Sequence, residues 1–483
     1  MAAPQLFWFR QDLRLADNPA LLAALAAGPV IPCYILDDDT PGRWAMGSAS
    51  RWWLHHSLAA LDKALRAKGS RLVLRRGRAA AEIDRLVGET GAAGVFWNRC
   101  YEPFAVARDT AMKKALMARG IEAHSRNASL LFEPTAIRNK SGEPFKVYTP
   151  FWRACRAAGD PPPPAAEPKS MSGPAQWPRS DALEDWGLLP TAPDWAGGLR
   201  EAWFPGETGA LGRLQDFVDE AMADYAGGRD MPGLAVTSRL SPHLHFGEIG
   251  PRQMWHAVRF ALDASRSGGL AKSGEKFLAE LGWREFCHSL LFHNPQMPER
   301  NLRDDFDRFP WRRSSANVTA WQRGRTGYPI VDAGMRQLWQ TGWMHNRVRM
   351  VAASFLIKHL LIDWRVGQEW FWDTLVDADL ANNSAGWQWV AGSGADAAPY
   401  FRIFNPVLQG EKFDPDGAYV RRYVPELARL PDRYVHRPWE ADDDALAAAG
   451  VELGKTYPHR VVEHDRARQR ALEAFASLKE EAA

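Results

Sequence analysis

Five short apolar runs separated by amphipathic stretches fill the first 125 residues, and this alternation restricts the fold more than any other feature of the chain. The runs lie at 5–9, 30–36, 71–75, 94–98 and 121–125. Helical patterns occupy 19–27, 48–68, 79–89 and 104–119, the last closed by Gly120 as its C-cap. Strand and helix in alternation predict a parallel five-stranded sheet with helices on both faces, an α/β domain over residues 1–131. No G-x-G-x-x-G follows the first strand, so a Rossmann dinucleotide site is not expected there.

From about Phe132 the texture changes. Residues 160–193 are dense in Pro, Gly and Ser and include four consecutive prolines from Pro161, so 132–206 reads as a long interdomain connection over the surface. From 207 to 483 the patterns are mostly helical, which predicts a C-terminal all-α domain. A strongly apolar helical region runs from 330 to 364, broken near Thr341 and Gly342. Twelve of the 22 tryptophans fall between Trp255 and Trp439, so any special use of indole rings is expected in the helical part.

With 60 Lys and Arg against 58 Asp and Glu, the net charge is +2, which excludes a polybasic protein held to nucleic acid by bulk charge. Any such contact has to be local. Between Trp343 and Arg365 three Arg and one Lys accompany a single Asp, an excess that suits either a DNA-facing surface or a solvated helix face. Cys33, Cys100, Cys155 and Cys287 are far apart and form no C-x-x-C, so neither a disulfide framework nor a zinc ribbon is expected. The N-terminus has no leader pattern and no stretch reaches ~18 uncharged apolar residues. The expectation is a soluble, cytoplasmic monomer without membrane contact.

Four segments carry polar residues where chemistry can use them. Asp377 and Asp379 stand two apart just before Asn383, Trp387 and Trp389. Such acids accept from ribose hydroxyls or an adenine amine, and equally cap a helix. Asn346 and Met350 are four apart on a helical pattern with Arg347 beside them; a buried arginine there calls for a bound anion or a paired carboxylate. Glu280 and Arg284 have the i, i+4 spacing of an ordinary helical ion pair. Thr237, Ser238, Arg239, Leu240 and Ser241, ahead of Pro242, offer hydroxyls and backbone N–H groups as a phosphate cradle or as a plain helix cap.

Taken together, long strings in this order resemble the DNA photolyase/cryptochrome family, on the side of the cyclobutane pyrimidine dimer photolyases. They are WFRQDLRLADNP from Trp8, TSRLSP from Thr237, WREF from Trp283, TGYPIVDAGMRQL from Thr326 and GWMHNRVRM from Gly342. DADLANN from Asp377, GWQW from Gly386 and DAAPYFRIFNP from Asp396 complete a match that runs from about residue 5 to 470.

The resemblance implies an FAD-binding helical domain. Tyr225, Thr237, Ser238, Arg239, Leu240 and Ser241 would hold the flavin phosphates and nearby groups, with Arg284, Asn346, Arg349, Asp377 and Asp379 completing the pocket. Asn383 would sit at the central-ring nitrogen of the flavin, where an aspartate or a cysteine marks cryptochromes. The implied partner is ultraviolet-damaged DNA with its fused pyrimidine pair flipped out of the stack. Trp283 and Trp389 would pack against the dimer, Met350 would lie below it, and Glu280 would hydrogen-bond its edge. Arg229, Asn346 and Arg347 would contact the lesion or its phosphates. The implied reaction is light-driven: excited reduced FAD lends an electron to the dimer and recovers it. Trp387, Trp364 and Trp311 match the family's electron relay.

The α/β domain of this family carries an antenna chromophore. Methenyltetrahydrofolate is the expectation, with 8-hydroxy-deazaflavin or no antenna as alternatives. The segment from Trp97 to Glu102 is compatible with either chromophore, and 293–300 lacks the Cys-Lys pair of the best-known folate binder. The alternative function is a cryptochrome, a blue-light receptor without repair. Against it stands a chain that closes in a charged helix at about 466–481 rather than in a long tail.

Overall fold

The computed structural model describes residues 3–265, 267–396 and 401–480. The chain gathers into two compact units. Met1–Ala223, Ser238–Pro295 and Val376–Asp379 form the first, and Asp224–Thr237, Gln296–Leu375 and Leu380–Ala483 the second. Residues 132–206 therefore belong by contact to the sheet-bearing unit.

In the first unit β1 (Gln5–Phe9), β2 (Val30–Leu36), β3 (Val73–Arg76), β4 (Gly94–Asn98) and β5 (Glu122–Arg126) pair in parallel in the order β3-β2-β1-β4-β5. Every residue of β1, β2 and β4 is buried, because a sheet covered on both faces selects continuous apolar runs. Leu6, Trp8, Ile31, Cys33, Val95 and Trp97 share one core with Ile83 and Leu86 of α3 (Ala79–Thr90) and Met112 and Leu116 of α4 (Pro103–Ala118). The other two helices of this layer pair are α1 (Pro19–Ala27) and α2 (Ser48–Ala67). Asn18 starts α1 by accepting from Leu21 N–H, with Pro19 at the first position. Arg119 is the C-cap of α4, and Gly120 follows it at φ +75°, the left-handed residue that lets the chain turn into β5.

The segment read as a connection contains a helix. In α5 (Tyr148–Ala157), Tyr148, Phe151 and Cys155 are buried at helical spacing. Residues 160–193 have no strand or α-helix, yet they are tied down: Met171 N–H donates to the Lys68 carbonyl and Asp181 N–H to Leu74, both at 2.8 Å. Two further helices of this unit are α6 (Ser241–His245) and the 26-residue α7 (Gly268–His293).

The second unit is helical. Its α8 (Pro329–Thr341) ends at Gly342, φ +64°, whose N–H donates to Leu338 at 2.8 Å. The expected break is therefore real, and a second one follows: α9 (Asn346–Ser354) continues as a widened turn to His359, then reverses at Leu361, φ +53°. Next come α10 (Trp364–Thr374) and α11 (Leu380–Ala391). The last helix, α12 (His464–Glu480), packs Ala471, Ala474 and Leu478 on Phe306, Phe309, Leu361 and Phe401. Residue 481, expected in that helix, lies outside the described residues. Asp332 explains why TGYPIVD is spelled as it is. Its buried carboxylate accepts from Thr326 N–H (2.6 Å), Thr326 Oγ1 (2.7 Å), Gly327 N–H (3.0 Å) and Tyr457 OH (2.8 Å). Among the described residues no helix is long and apolar enough to cross a membrane.

Candidate functional site

The N-terminal signature is a self-contained knot at the point where the strand order reverses, between β1 and β4. Asp12 accepts from Arg10 N–H and from Asn98 Nδ2, both at 2.6 Å, and Asn98 also donates to Asn18 Oδ1 at 2.7 Å. Arg14, 1% exposed, donates to the carbonyls of Ala16, Asp17, Ala128 and Gly247 at 2.8–3.0 Å. Open α/β sheets usually bind ligands at this crevice. Here Asp12, Asn18 and Asn98 are spent on one another. In the 97–102 segment Arg99 pairs with Glu133 at 2.5 Å, Tyr101 donates to the same carboxylate at 3.0 Å, and Glu102 accepts from Gln11 at 2.5 Å.

The first unit also holds nine of the 21 residues selected from the sequence. Along α7, Trp283 is half-buried and its indole lies parallel to the Tyr148 ring, 3.7 Å between centroids and 9° between planes. Glu280 lies 3.5 Å from Lys276, one turn back, while Arg284 donates to the Ser129 carbonyl at 2.6 Å. The expected Glu280–Arg284 pair is thus replaced. A charge-assisted bond to a half-buried carbonyl outweighs a surface i, i+4 pair worth ~0.3–0.5 kcal/mol. Asp377 and Asp379 are both 8% exposed. Burial opposes charge on Asp379, but His288 (3.4 Å) and His245 (3.7 Å) prevail and hold its carboxyl well below the usual carboxylate range. Ser238 Oγ accepts from Leu240 N–H at 3.4 Å, Arg239 lies over the Trp203 ring at 4.4 Å with φ +52°, and Ser241 is exposed at the start of α6. The N-cap of α6 is Leu240, whose side chain makes no capping bond.

In the second unit Tyr225 is buried, with Arg229 5.4 Å over its ring, and Thr237 is half-buried. On α9, Asn346 is exposed and Arg347, Arg349 and Met350 are half-buried. Arg347 pairs with Asp230 at 3.0 Å, a carboxylate partner of the kind a partly buried arginine calls for. Arg349 donates to the Met344 carbonyl at 2.7 Å. Asn383 Nδ2 donates to the Gln368 carbonyl at 3.1 Å. Trp389 is half-buried; its Nε1–H donates to the Asp396 carbonyl at 3.1 Å, and its ring borders a cavity shared with Lys358, Phe401 and Arg402. Ala397, Ala398, Pro399 and Tyr400 of the last motif lie outside the described residues.

The three relay candidates differ in setting. Trp387, 3% exposed, meets Phe371 edge-on at 5.0 Å and Trp321 at 6.2 Å. Trp364 is fully buried and donates to Asn301 at 2.9 Å, whereas Trp311 is half-buried against Phe309 at 4.4 Å. Among the described residues no ring-to-ring contact joins these three.

Residues 5–169 match the family model for DNA photolyase, and residues 277–477 match the FAD binding domain of DNA photolyase. The chain is 56% identical to the deoxyribodipyrimidine photo-lyase of Agrobacterium fabrum over 99% of this chain and 98% of that one. The chain belongs to the photolyase/cryptochrome family. The crystal structure of a bacterial class III photolyase from Agrobacterium tumefaciens superposes with a TM-score of 0.96 at 56% identity, over 99% of this chain and 98% of that one. Cryptochrome-1 of Arabidopsis thaliana is 42% identical over 98% of this chain and 70% of its own length. This photolyase-type enzyme is accordingly an FAD flavoprotein of a DNA-repair family.

Three structural residues of the photolyase chain escaped the sequence reading. Tyr148 sat in a presumed connection, although its 148, 151, 155 spacing carries the helical signal. Gly282 admits α5, since a Cβ there would come within 2.4 Å of the Trp152 ring. Gly367 admits Trp387, whose ring would lie 2.1 Å from an added Cβ. Neither glycine has a local signal, because each answers to a ring far away in the sequence.

Proposed function

We propose that the chain repairs cyclobutane pyrimidine dimers in DNA under blue or near-ultraviolet light. The observation that carries this reading is the 56% identity, spread over 99% of the chain, to a deoxyribodipyrimidine photo-lyase. The side chains support it. A charged, buried Asp379 with Asp377 suits hydroxyl groups, and the exposed Ser241 with Arg239 suits phosphates. FAD is proposed to be held by Tyr225, Thr237, Ser238, Arg239, Leu240, Ser241, Arg284, Asn346, Arg349, Asp377, Asp379 and Asn383. With Nδ2 of Asn383 engaged on Gln368, Oδ1 is the end that accepts from a protonated flavin nitrogen. When bound, reduced FAD supplies on excitation the electron that opens the dimer.

The chain's own groups place the substrate. Trp283 and Trp389 stack on the flipped pyrimidines, each such contact worth ~1–3 kcal/mol, and Met350 fills the space below. Glu280 accepts from the pyrimidine edge, while Arg229, Asn346 and Arg347 hold the lesion or its phosphates. Trp387, Trp364 and Trp311 pass electrons inward to restore reduced cofactor. No side chain acts as a nucleophile. For the antenna, the resemblance supports methenyltetrahydrofolate. A near-ultraviolet band lost on extraction identifies it, and a band at longer wavelength identifies 8-hydroxy-deazaflavin instead.

The 42% identity to Arabidopsis Cryptochrome-1 favours one second reading, a photoreceptor without repair. A single assay separates them. The reduced, FAD-loaded protein is given a thymine-dimer oligonucleotide in light and in darkness. Restored thymines in light alone support repair; intact dimers in both arms sink it.

A further inference from the structure

We propose that Tyr148 is a positioning residue of the lesion site: it holds the Trp283 indole flat and fixed, so that one covered face leaves the other presented to a pyrimidine. The inference rests on the repair reading above. Tyr148 is buried at 8% exposed, whereas Trp283 is only half-buried, so the tyrosine stands behind the tryptophan rather than beside a ligand.

The geometry fixes the ring at both ends. Its face lies 3.7 Å from Trp283 at an interplanar angle of 9°. Its hydroxyl donates to the Ala279 carbonyl at 2.5 Å, four residues before Trp283 on α7. One phenol thus spans a full turn of the helix that carries the indole, from carbonyl to ring. Phe286 adds an edge-on contact to both, at 6.0 Å from each ring. The glycine at 282 is what allows this approach, because a Cβ there would run 2.4 Å from Trp152 of the same helix α5. Helix α5 is therefore pressed onto the stretch of α7 that holds Glu280, Trp283 and Arg284.

A free tryptophan has to be ordered when a base stacks on it, and that ordering weakens binding. Immobilising one side chain beforehand is worth about 3- to 10-fold in Kd. The parallel stack also presets the plane in which a base arrives, since offset parallel rings are a favoured arrangement.

The test measures Kd of the FAD-loaded protein for an oligonucleotide with one thymine dimer and for its undamaged twin, in wild type, Tyr148→Leu, Tyr148→Phe and Trp283→Leu. Tyr148→Leu is expected to raise Kd for the damaged DNA about 3- to 10-fold. Binding of undamaged DNA, the flavin spectrum and repair per bound dimer are expected to stay as in wild type. Tyr148→Phe, which keeps the stack and loses the hydroxyl, is expected to recover most of the loss. Equal weakening on both DNAs, or loss of FAD from Tyr148→Leu, overturns the proposal in favour of a structural role. Wild-type affinity in Tyr148→Leu, with Trp283→Leu impaired, overturns it and leaves the repair reading intact. A wild-type protein with no preference for damaged DNA overturns both.

Discussion

Two glycine-to-alanine changes on neighbouring helices should act in opposite directions. At Gly367 on α10, an added Cβ would sit 2.1, 2.5 and 2.6 Å from three atoms of the Trp387 ring. Ordinary contact begins at 3.4 Å, so the ring has to withdraw by more than an ångström. It has little room, being 3% exposed with Phe371 edge-on at 5.0 Å and Trp321 at 6.2 Å. Overpacking of this kind costs ~1–3 kcal/mol, offset by ~0.5–1 kcal/mol for replacing glycine inside a helix. Gly367→Ala is left ~0.5–2 kcal/mol less stable. Gly386, next to Trp387 on α11, is exposed and has nothing within 4 Å of an added Cβ. Only the helix term acts there, so Gly386→Ala gains ~0.5–1 kcal/mol. Since ~1 kcal/mol moves Tm by ~2–4 °C in a unit of about 200 residues, calorimetry resolves the two signs. Blue-light reduction of oxidised flavin supplies the functional arm. It slows in Gly367→Ala, where Trp387 has moved, and holds in Gly386→Ala. Melting shifts of the same sign refute the packing argument. Wild-type photoreduction in a destabilised Gly367→Ala refutes the role given to Trp387.

Three other outcomes follow from single side chains. Asp332→Asn replaces an acceptor of four donors by a group whose Nδ2 faces two of them; at ~1–2 kcal/mol for each unmet buried donor it loses ~2–4 kcal/mol, read by denaturant unfolding. Burial, helped by the Arg402 charge, pushes the Lys358 ammonium down to about 7, although its Nζ donates to the Arg402 carbonyl at 2.5 Å. Between about 7 and about 10.5 the unfolded chain keeps this proton and the folded chain does not, so the group's contribution to stability rises with pH across that window. Wild type should therefore gain on Lys358→Met as pH climbs from about 7 towards 10, by up to ~4 kcal/mol at ~1.4 kcal/mol per pKa unit; a pH-independent gap speaks against it. Trp364→Phe keeps a buried ring but loses the bond to Asn301, and should slow photoreduction while sparing repair by pre-reduced enzyme.

How far the chain could be read in advance depends on the range of the interaction that decides each feature. Strands β1, β2 and β4 and helix α1 begin and end where the apolar runs place them, because a sheet covered on both faces writes its burial into consecutive residues. Gly342 was legible for the same local reason, a left-handed residue after a helical run. Partner choice was not. Spacing offered Glu280 to Arg284, but the guanidinium reaches the half-buried carbonyl of Ser129, 155 residues earlier, in a charge-assisted bond. Arg347 correctly demanded an anion on grounds of burial, yet nothing near it in sequence named Asp230. Trp283 shows the same division most usefully. Its residue type and its string marked it as a ring for stacking, while the ring that holds it, Tyr148, lay in a stretch whose prolines and glycines suggested a bare linker. A site whose chemistry is stacking and placement is therefore least legible at the residues that do the placing, since these are selected by the shape of a distant neighbour and carry no motif of their own.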